Sequence, residues 1–286
     1  RGEGDDLGED LRRNHDGLLE GMLPSIMYRA AANATEKSPG SFRRRAGDAK
    51  VGVAEFHPFR VLYVLGCVQI ERGERVMADK KLVIGIDFGT DSVRSIVVDS
   101  GTGKTLASEV VRFKRWGEGR YCDPAKNRFR QHPLDYIEGL EKSVKRALAA
   151  AGKGAGKKVV GIGVDTTGST PAPVDRDGTV LSLKKEFQDN PNAMFILWKD
   201  HTAVEEAEAI NRTAKTWGGV DVTKYVGGVY SSEWFWSKIL HVLRVDEKVR
   251  EAAFSWVEHA DWIPALLTGI LDPLAMKRGR CPAGHK

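Results

Sequence analysis

The sequence predicts an α/β fold, and three observations carry that expectation. Three apolar runs follow one another between residues 82 and 113, separated by turn signals. A stretch with helical period follows at residues 133–151. A nearly continuous apolar run at residues 159–165 is then succeeded by several helical stretches. Strands, a helix, a buried-type strand and more helices, in that order, are the pattern of an α/β domain.

Each element has a local reason. Leu82 to Phe88 is apolar and rich in β-branched residues, which suits a strand, and Gly89 turns the chain after Asp87. Ser92 to Val98 and Thr105 to Phe113 are two more strands, with Asp99-Ser100-Gly101-Thr102-Gly103 as the hairpin turn between them. Three such strands predict an antiparallel meander. In the helix, Leu134, Ile137, Leu140, Val144 and Leu148 share one face, Pro133 suits its first turn and Gly152 its end. Residues 152–158 read first as a solvated linker and second as a basic phosphate loop. Val159 to Asp165 has the unbroken apolar character of a strand covered on both faces. Ala172 to Asp175 and Thr179 to Leu181 flank a turn at Arg176-Asp177-Gly178. Helices are expected over residues 198–212, 233–245, 247–257 and 261–268, the last ending at Gly269.

Composition removes several classes of protein. The 286 residues carry 44 basic and 39 acidic side chains, and the surplus is spread over residues 77–286 rather than clustered, so charge gives little support for a nucleic-acid partner. Cys67, Cys122 and Cys281 are too few and scattered for a disulfide scaffold, and no Cys-x-x-Cys pair suggests a zinc ribbon. No run of about 18 apolar residues is present, so no membrane-spanning helix is expected. No secretory signal opens the chain, and the cytoplasm is the expected address.

Residues 1–76 have neither helical nor strand period. Glu71-Arg72-Gly73-Glu74-Arg75 is compatible with purine-rich codons resembling a bacterial ribosome-binding site, just before Met77. Residues 1–76 are therefore expected to be translated upstream DNA or a disordered extension, with the protein proper starting at Met77. The stretch from Met276 to Lys286 looks like neither a helix end nor a tail, so truncation is expected there.

Some motifs fail. Ser100-Gly101-Thr102-Gly103-Lys104-Thr105 resembles the end of a Walker A loop, but Val98 stands where its first glycine belongs. Gly161-Ile162-Gly163 opens like a dinucleotide fingerprint, but Thr166 occupies the third glycine position. His201, His241, His259 and His285 lack metal-ligand spacing.

Three segments carry chemistry. In Asp87-Phe88-Gly89-Thr90-Asp91-Ser92-Val93-Arg94 a carboxylate ends a strand, a glycine turns the chain, and Thr90 and Ser92 offer hydroxyl and amide donors. Such donors face phosphate oxygens, Asp87 suits hydrated Mg²⁺, and Arg94 offers charge to a phosphoryl group. An ordinary hairpin has the same residues. Asp165-Thr166-Thr167-Gly168-Ser169-Thr170-Pro171-Ala172 is a polar loop after a strand, suited to a polyol or simply a capped turn. Leu197-Trp198-Lys199-Asp200-His201 suits sugar stacking, or a core Trp with Asp200 as helix cap. Trp234-Phe235-Trp236 reads as packing, with Glu233 as a cap or a ligand-facing group.

Taken together, these strings resemble the FGGY carbohydrate kinases, from about Leu82 to Lys286. The resemblance is carried by the Asp87–Arg94 segment, by Gly161–Pro173, Asn190–Phe195, Leu197–Ala207 and Tyr230–Trp236, and by Lys238–His241 and Arg278–Lys286. It implies an actin-like ATPase fold of two ribonuclease-H-like domains with a cleft between them. It implies ATP- and Mg²⁺-dependent phosphorylation of L-ribulose to L-ribulose 5-phosphate, a step in arabinose breakdown. By motif, Ala172, Trp198, Asp200 and Lys286 would line the sugar site, while Asp87, Gly89, Thr90, Ser92 and Arg94 would face the phosphates, with Asp87 on the metal. In that family the general base is an Asp in a Gly-Gly loop opening the second domain, which also holds adenine. Neither is found here. Residues 77–286 are thus expected to be the first of two domains, without turnover alone and poorly soluble or partly unfolded for want of its partner domain. The resemblance also allows a homodimer of the complete enzyme, with no membrane or nucleic-acid partner. Alternatives are another pentulose or pentitol kinase, such as one for xylulose, a non-catalytic sugar-binding domain, and a chaperone-type ATPase, which would have no use for the sugar-facing strings.

Overall fold

The computed structural model describes residues 80–279. The expectations for residues 1–76, the start at Met77, Cys281 and Lys286 lie outside the described residues.

Strands β1 (Leu82–Phe88), β2 (Ser92–Asp99) and β3 (Thr105–Arg112) form the predicted antiparallel meander. Along β1, Leu82, Ile84, Ile86 and Phe88 are buried while the residues between them are partly open. This is the period-two alternation of a sheet with one face in the core. A single turn, α1 (Lys114–Gly117), and two short strands, β4 (Cys122–Asp123) and β5 (Arg128–Gln131), lead into helix α2 (Pro133–Ala150). Asp135, at the start of α2, accepts from the amides of Arg115 and Trp116 at 3.1 Å each, and so caps α1. The N-cap of α2 is His132, whose Nδ1 accepts from the Leu134 amide at 3.2 Å. Burial and the nearby Arg115 push this imidazole down to about 4, which keeps it neutral and able to accept.

Helix α2 lies on β2 and β3. Tyr136, Leu140, Ala147 and Leu148 enter the main core with Val93 and Val97, each large side chain contributing about 2 kcal/mol by burial. Gly139 permits the closest approach: a β-carbon there would lie 2.9 Å from Val93 Cγ1 and 3.2 Å from Phe113. Ser95 and Ser143 satisfy each other across the same interface, with their hydroxyls 2.8 Å apart.

Strand β6 (Val159–Thr166) then joins β1 in parallel, giving the order β3-β2-β1-β6. The sequence predicted a strand covered on both faces. Among the described residues β6 is instead an edge strand, and Val160 is 53% exposed. Beyond it come β7 (Pro171–Val174), β8 (Phe195–Ile196), helices α3 (Val204–Thr216), α4 (Phe235–Val245) and α5 (Glu247–Ala252), strand β9 (Ser255–Glu258) and helix α6 (His259–Thr268).

Two helix expectations need correction. The helix expected from residue 198 starts only at Val204, because residues 197–203 turn back on themselves through Asp200. The helix expected over residues 247–257 ends at Ala252, and Ser255–Glu258 pair antiparallel with β7. That pairing joins segments about 80 residues apart, so local propensity carries no trace of it. Among the described residues no helix is long and apolar enough to cross a membrane.

Candidate active site

The ends of β1 and β6 define the site. In the parallel register Asp87 stands beside Asp165, and across the antiparallel pair it faces Arg94. Asp87 Oδ2 and Arg94 Nη2 are 2.9 Å apart, and both side chains are about half exposed. Asp165 is exposed at the same edge and caps the Thr166 amide at 3.0 Å. Two open carboxylates at neighbouring strand ends are the donor set that hydrated Mg²⁺ takes, with water and phosphate oxygens completing the shell. Among the described residues no cluster of three or more His, Cys, Asp or Glu side chains gathers as a dedicated metal cage.

The turn between β1 and β2 is tight: the Gly89 amide donates to the Ser92 carbonyl at 2.9 Å. A β-carbon on Gly89 would lie 2.9 Å from Arg94 Nη2, so glycine leaves room for the Asp87–Arg94 pair. Thr90 is held from two sides. Gln131 Nε2 donates to its carbonyl at 2.5 Å, and the Trp198 indole donates to its hydroxyl at 3.1 Å. Gln131 also accepts from the buried Tyr136 hydroxyl, so the turn is tied to the core. Asp91 takes the Ser92 hydroxyl at 2.8 Å and Arg112 at 2.7 Å, and the Ser92 bond is the largest reason its carboxyl sits below the ordinary range. Ser92 is buried, and its hydroxyl is committed to Asp91.

The polar loop after β6 is ordered by its own hydroxyls. Thr167 and Thr170 hydroxyls lie 3.1 Å apart, and the Thr170 amide donates to Glu258 at 2.7 Å. Ser169 adopts a left-handed backbone at φ 55°. Ala172 is fully buried in β7, opposite Val257. Trp198 is 43% exposed and open to solvent over the turn. Lys199 lies over the Phe129 ring at 4.3 Å.

Asp200 sits differently from its neighbours in sequence. It is fully buried and ion-paired with Arg130, itself fully buried. It also accepts from the Phe129 amide at 2.7 Å, the Thr202 amide at 3.1 Å and the Thr202 hydroxyl at 2.6 Å. Its lone pairs are thus taken by the protein. Of the neighbouring strings, His201 reaches Ser232 at 3.2 Å and Glu233 at 3.1 Å, so the 197–201 and 230–236 segments meet.

Beside the site lies a buried polar group, Lys238, which the sequence offers only as part of the Lys238–His241 string and with no role of its own. Lys238, on α4, donates to the carbonyls of Ser169 at 2.6 Å and Leu197 at 2.8 Å. Burial draws its ammonium down to about 7, opposed by Asp200 and Glu258. Burial likewise pushes Glu258 up to about 7. Nearby, His259 stacks on Tyr136 with ring centres 3.9 Å apart, and among the described residues neither of its nitrogens has a hydrogen-bond partner. The role of Lys238 carries no local signal, because its two carbonyl partners lie 41 and 69 residues away, and the bond from Gln131 to Thr90 spans 41 residues.

No protein-family model matches the chain. Curated relatives do. A ribulokinase from Vibrio parahaemolyticus is 54% identical over 204 residues, covering 71% of this chain and 36% of the relative. A ribulokinase from Halalkalibacterium halodurans is 36% identical over 211 residues, covering 72% of this chain and 36% of the relative. The chain thus spans about a third of the length of the curated relatives it matches. Among solved structures, a xyloylose kinase from Brucella ovis aligns with a TM-score of 0.51 at 16% identity, covering 64% of this chain and 34% of that one. That likeness concerns the fold alone. The chain thus shares its fold with that sugar kinase, and its sequence is similar to the ribulokinases over about a third of their length.

Proposed function

We propose that residues 77–286 are the first domain of an ATP-dependent kinase that phosphorylates L-ribulose at its terminal hydroxyl, giving L-ribulose 5-phosphate. The observation that carries this reading is the joint at Thr90. One residue of the phosphate-type turn is bonded to the exposed Trp198 of the sugar-type segment at 3.1 Å. In this reading that bond joins an anion-facing turn to a polyol-facing segment.

In this reading the amides of the turn after β1 face phosphate oxygens. Asp87, with Asp165 beside it, would hold Mg²⁺, whose charge offsets that of the transferring phosphoryl group. Arg94 offers a second positive charge at the same place. Trp198 covers the apolar face of the sugar, and the Thr166–Thr170 loop supplies hydroxyls to it. Ala172, buried in β7, sets the floor behind that loop. Asp200 serves the site through Arg130 and the 197–203 turn rather than by direct contact in the described conformation. Lys286 is assigned to the sugar by resemblance only. The general base and the adenine pocket are assigned to the two-thirds of the relatives' length that this chain does not match.

Titration of the 286-residue chain with L-ribulose, L-xylulose and D-xylulose, followed by tryptophan fluorescence, tests the reading. L-ribulose is expected to quench with a millimolar or tighter Kd, Trp198→Phe is expected to abolish most of the response, and ribulose-dependent ADP release is expected to be nil. No pentulose response would overturn the sugar assignment. Turnover by this chain would overturn the assignment of the base to a second domain.

A further inference from the structure

Lysine is almost never fully buried without a counter-ion in contact. Lys238 breaks that habit. It is fully buried, and among the described residues no carboxylate lies within ion-pair distance of its ammonium. The charged groups that act on it are Asp200, Glu258, Arg130 and Glu233. Its hydrogen bonds go instead to two backbone carbonyls, Ser169 at 2.6 Å and Leu197 at 2.8 Å. These belong to different segments, one ending the loop after β6 and the other following β8.

We propose that Lys238 is the positioning residue of the sugar site, tying the 166–170 loop to the 197–198 segment so that the loop hydroxyls and the Trp198 indole address one pentulose. This rests on the sugar-kinase reading above. Both tethered carbonyls lie next to candidate sugar-facing groups. Ser169 precedes Thr170, whose hydroxyl meets that of Thr167, and Leu197 precedes Trp198. Ser169 is also held at φ 55°, a conformation that costs energy outside glycine and persists only when its surroundings enforce it. Two bonds do so: Lys238 donates to its carbonyl, and the following amide, that of Thr170, donates to Glu258. A methionine of similar length would fill the same space, so packing alone does not account for an ammonium here.

Lys238→Met removes both donors and keeps the volume. Amide hydrogen exchange on the full chain is the primary readout. Exchange is expected to speed up about tenfold or more at Thr170 and Asp200, with Ile84 and Val97 in the sheet unchanged. L-ribulose affinity is expected to fall by a similar factor. Equal acceleration at all four amides marks a purely structural lysine and overturns the proposal, as does no change at Thr170 and Asp200. Lys238→Gln, which keeps an N–H donor on a shorter stem, is the second variant. If neither variant folds, the ammonium resonance of wild-type Lys238 decides: slow proton exchange supports the tether and fast exchange overturns it. Absence of any sugar binding by the wild-type chain would count against the function, whereas the exchange pattern tests the tether independently.

Discussion

Truncating Asp200 to alanine strips a buried guanidinium of its only carboxylate partner among the described residues. Arg130 and Asp200 are both fully buried, so neither charge is rescued by solvent. Removing one member of such a pair costs about 3–5 kcal/mol, because the survivor stays buried and uncompensated. The Phe129 amide at 2.7 Å and the Thr202 hydroxyl at 2.6 Å lose their acceptor as well, at about 1 kcal/mol each where water cannot replace it. The terms overlap, and a loss of about 4 kcal/mol is expected. That is a large part of the 5–15 kcal/mol that holds a typical domain together, roughly. Urea unfolding followed by far-UV circular dichroism measures it, with the midpoint falling at constant slope. The double variant Arg130→Met with Asp200→Leu should recover more than half of the loss, since it removes both charges together. A single variant within about 1 kcal/mol of wild type, yet without pentulose binding, would refute the reasoning and return Asp200 to the sugar as a direct ligand.

Gly139→Ala should destabilise by about 1–2 kcal/mol in thermal melts despite the better helix former, because Val93 and Phe113 block the new methyl. Gly89→Ala meets chiefly the flexible tip of Arg94, so stability in urea melts should stay within about 1 kcal/mol of wild type while affinity for inorganic pyrophosphate falls. His259, drawn by burial down to about 3 from 6.5, contributes stability that is present above pH 6.5 and lost as pH falls towards 3. His259→Phe should therefore gain over wild type by more at pH 4.5 than at pH 8 in paired urea melts. Glu258, raised by burial to about 7 from 4.5, contributes stability that is full below pH 4.5 and lost as pH rises through 7. Glu258→Gln should flatten that fall, measured as the difference between unfolding midpoints at pH 5 and pH 8.

What could be read in the sequence was local. The meander and helix α2 follow from alternation, turn glycines and a three- and four-residue apolar spacing, and their bounds agree within a residue or two. The site was legible as three strings, because each puts polar residues next to an apolar run. Their meeting was not. Trp198 finds Thr90 across 108 residues, Arg130 finds Asp200 across 70, and Glu258 finds Thr170 across 88. The misread helices fail for the same reason: Ser255–Glu258 have a partner in β7 that outweighs their helical neighbours. The sequence offers Asp200 as a helix cap, and the family resemblance offers it as a sugar-lining residue; its burial is set by Arg130 on a strand 70 residues away.

The order in which the site is assembled during folding follows from the sheet. The meander and α2 are joined by contacts between near neighbours in sequence, so they can form early and quickly. The parallel β1–β6 pair instead closes a loop from Leu82 to Val159, and the Trp198–Thr90 bond closes a still longer one. The β1–β6 edge is therefore the last part of this sheet to form and the first to open. In a refolding experiment the far-UV signal of the meander should appear before Trp198 reaches its native emission, and a chaperone or a bound sugar should act on that second phase alone.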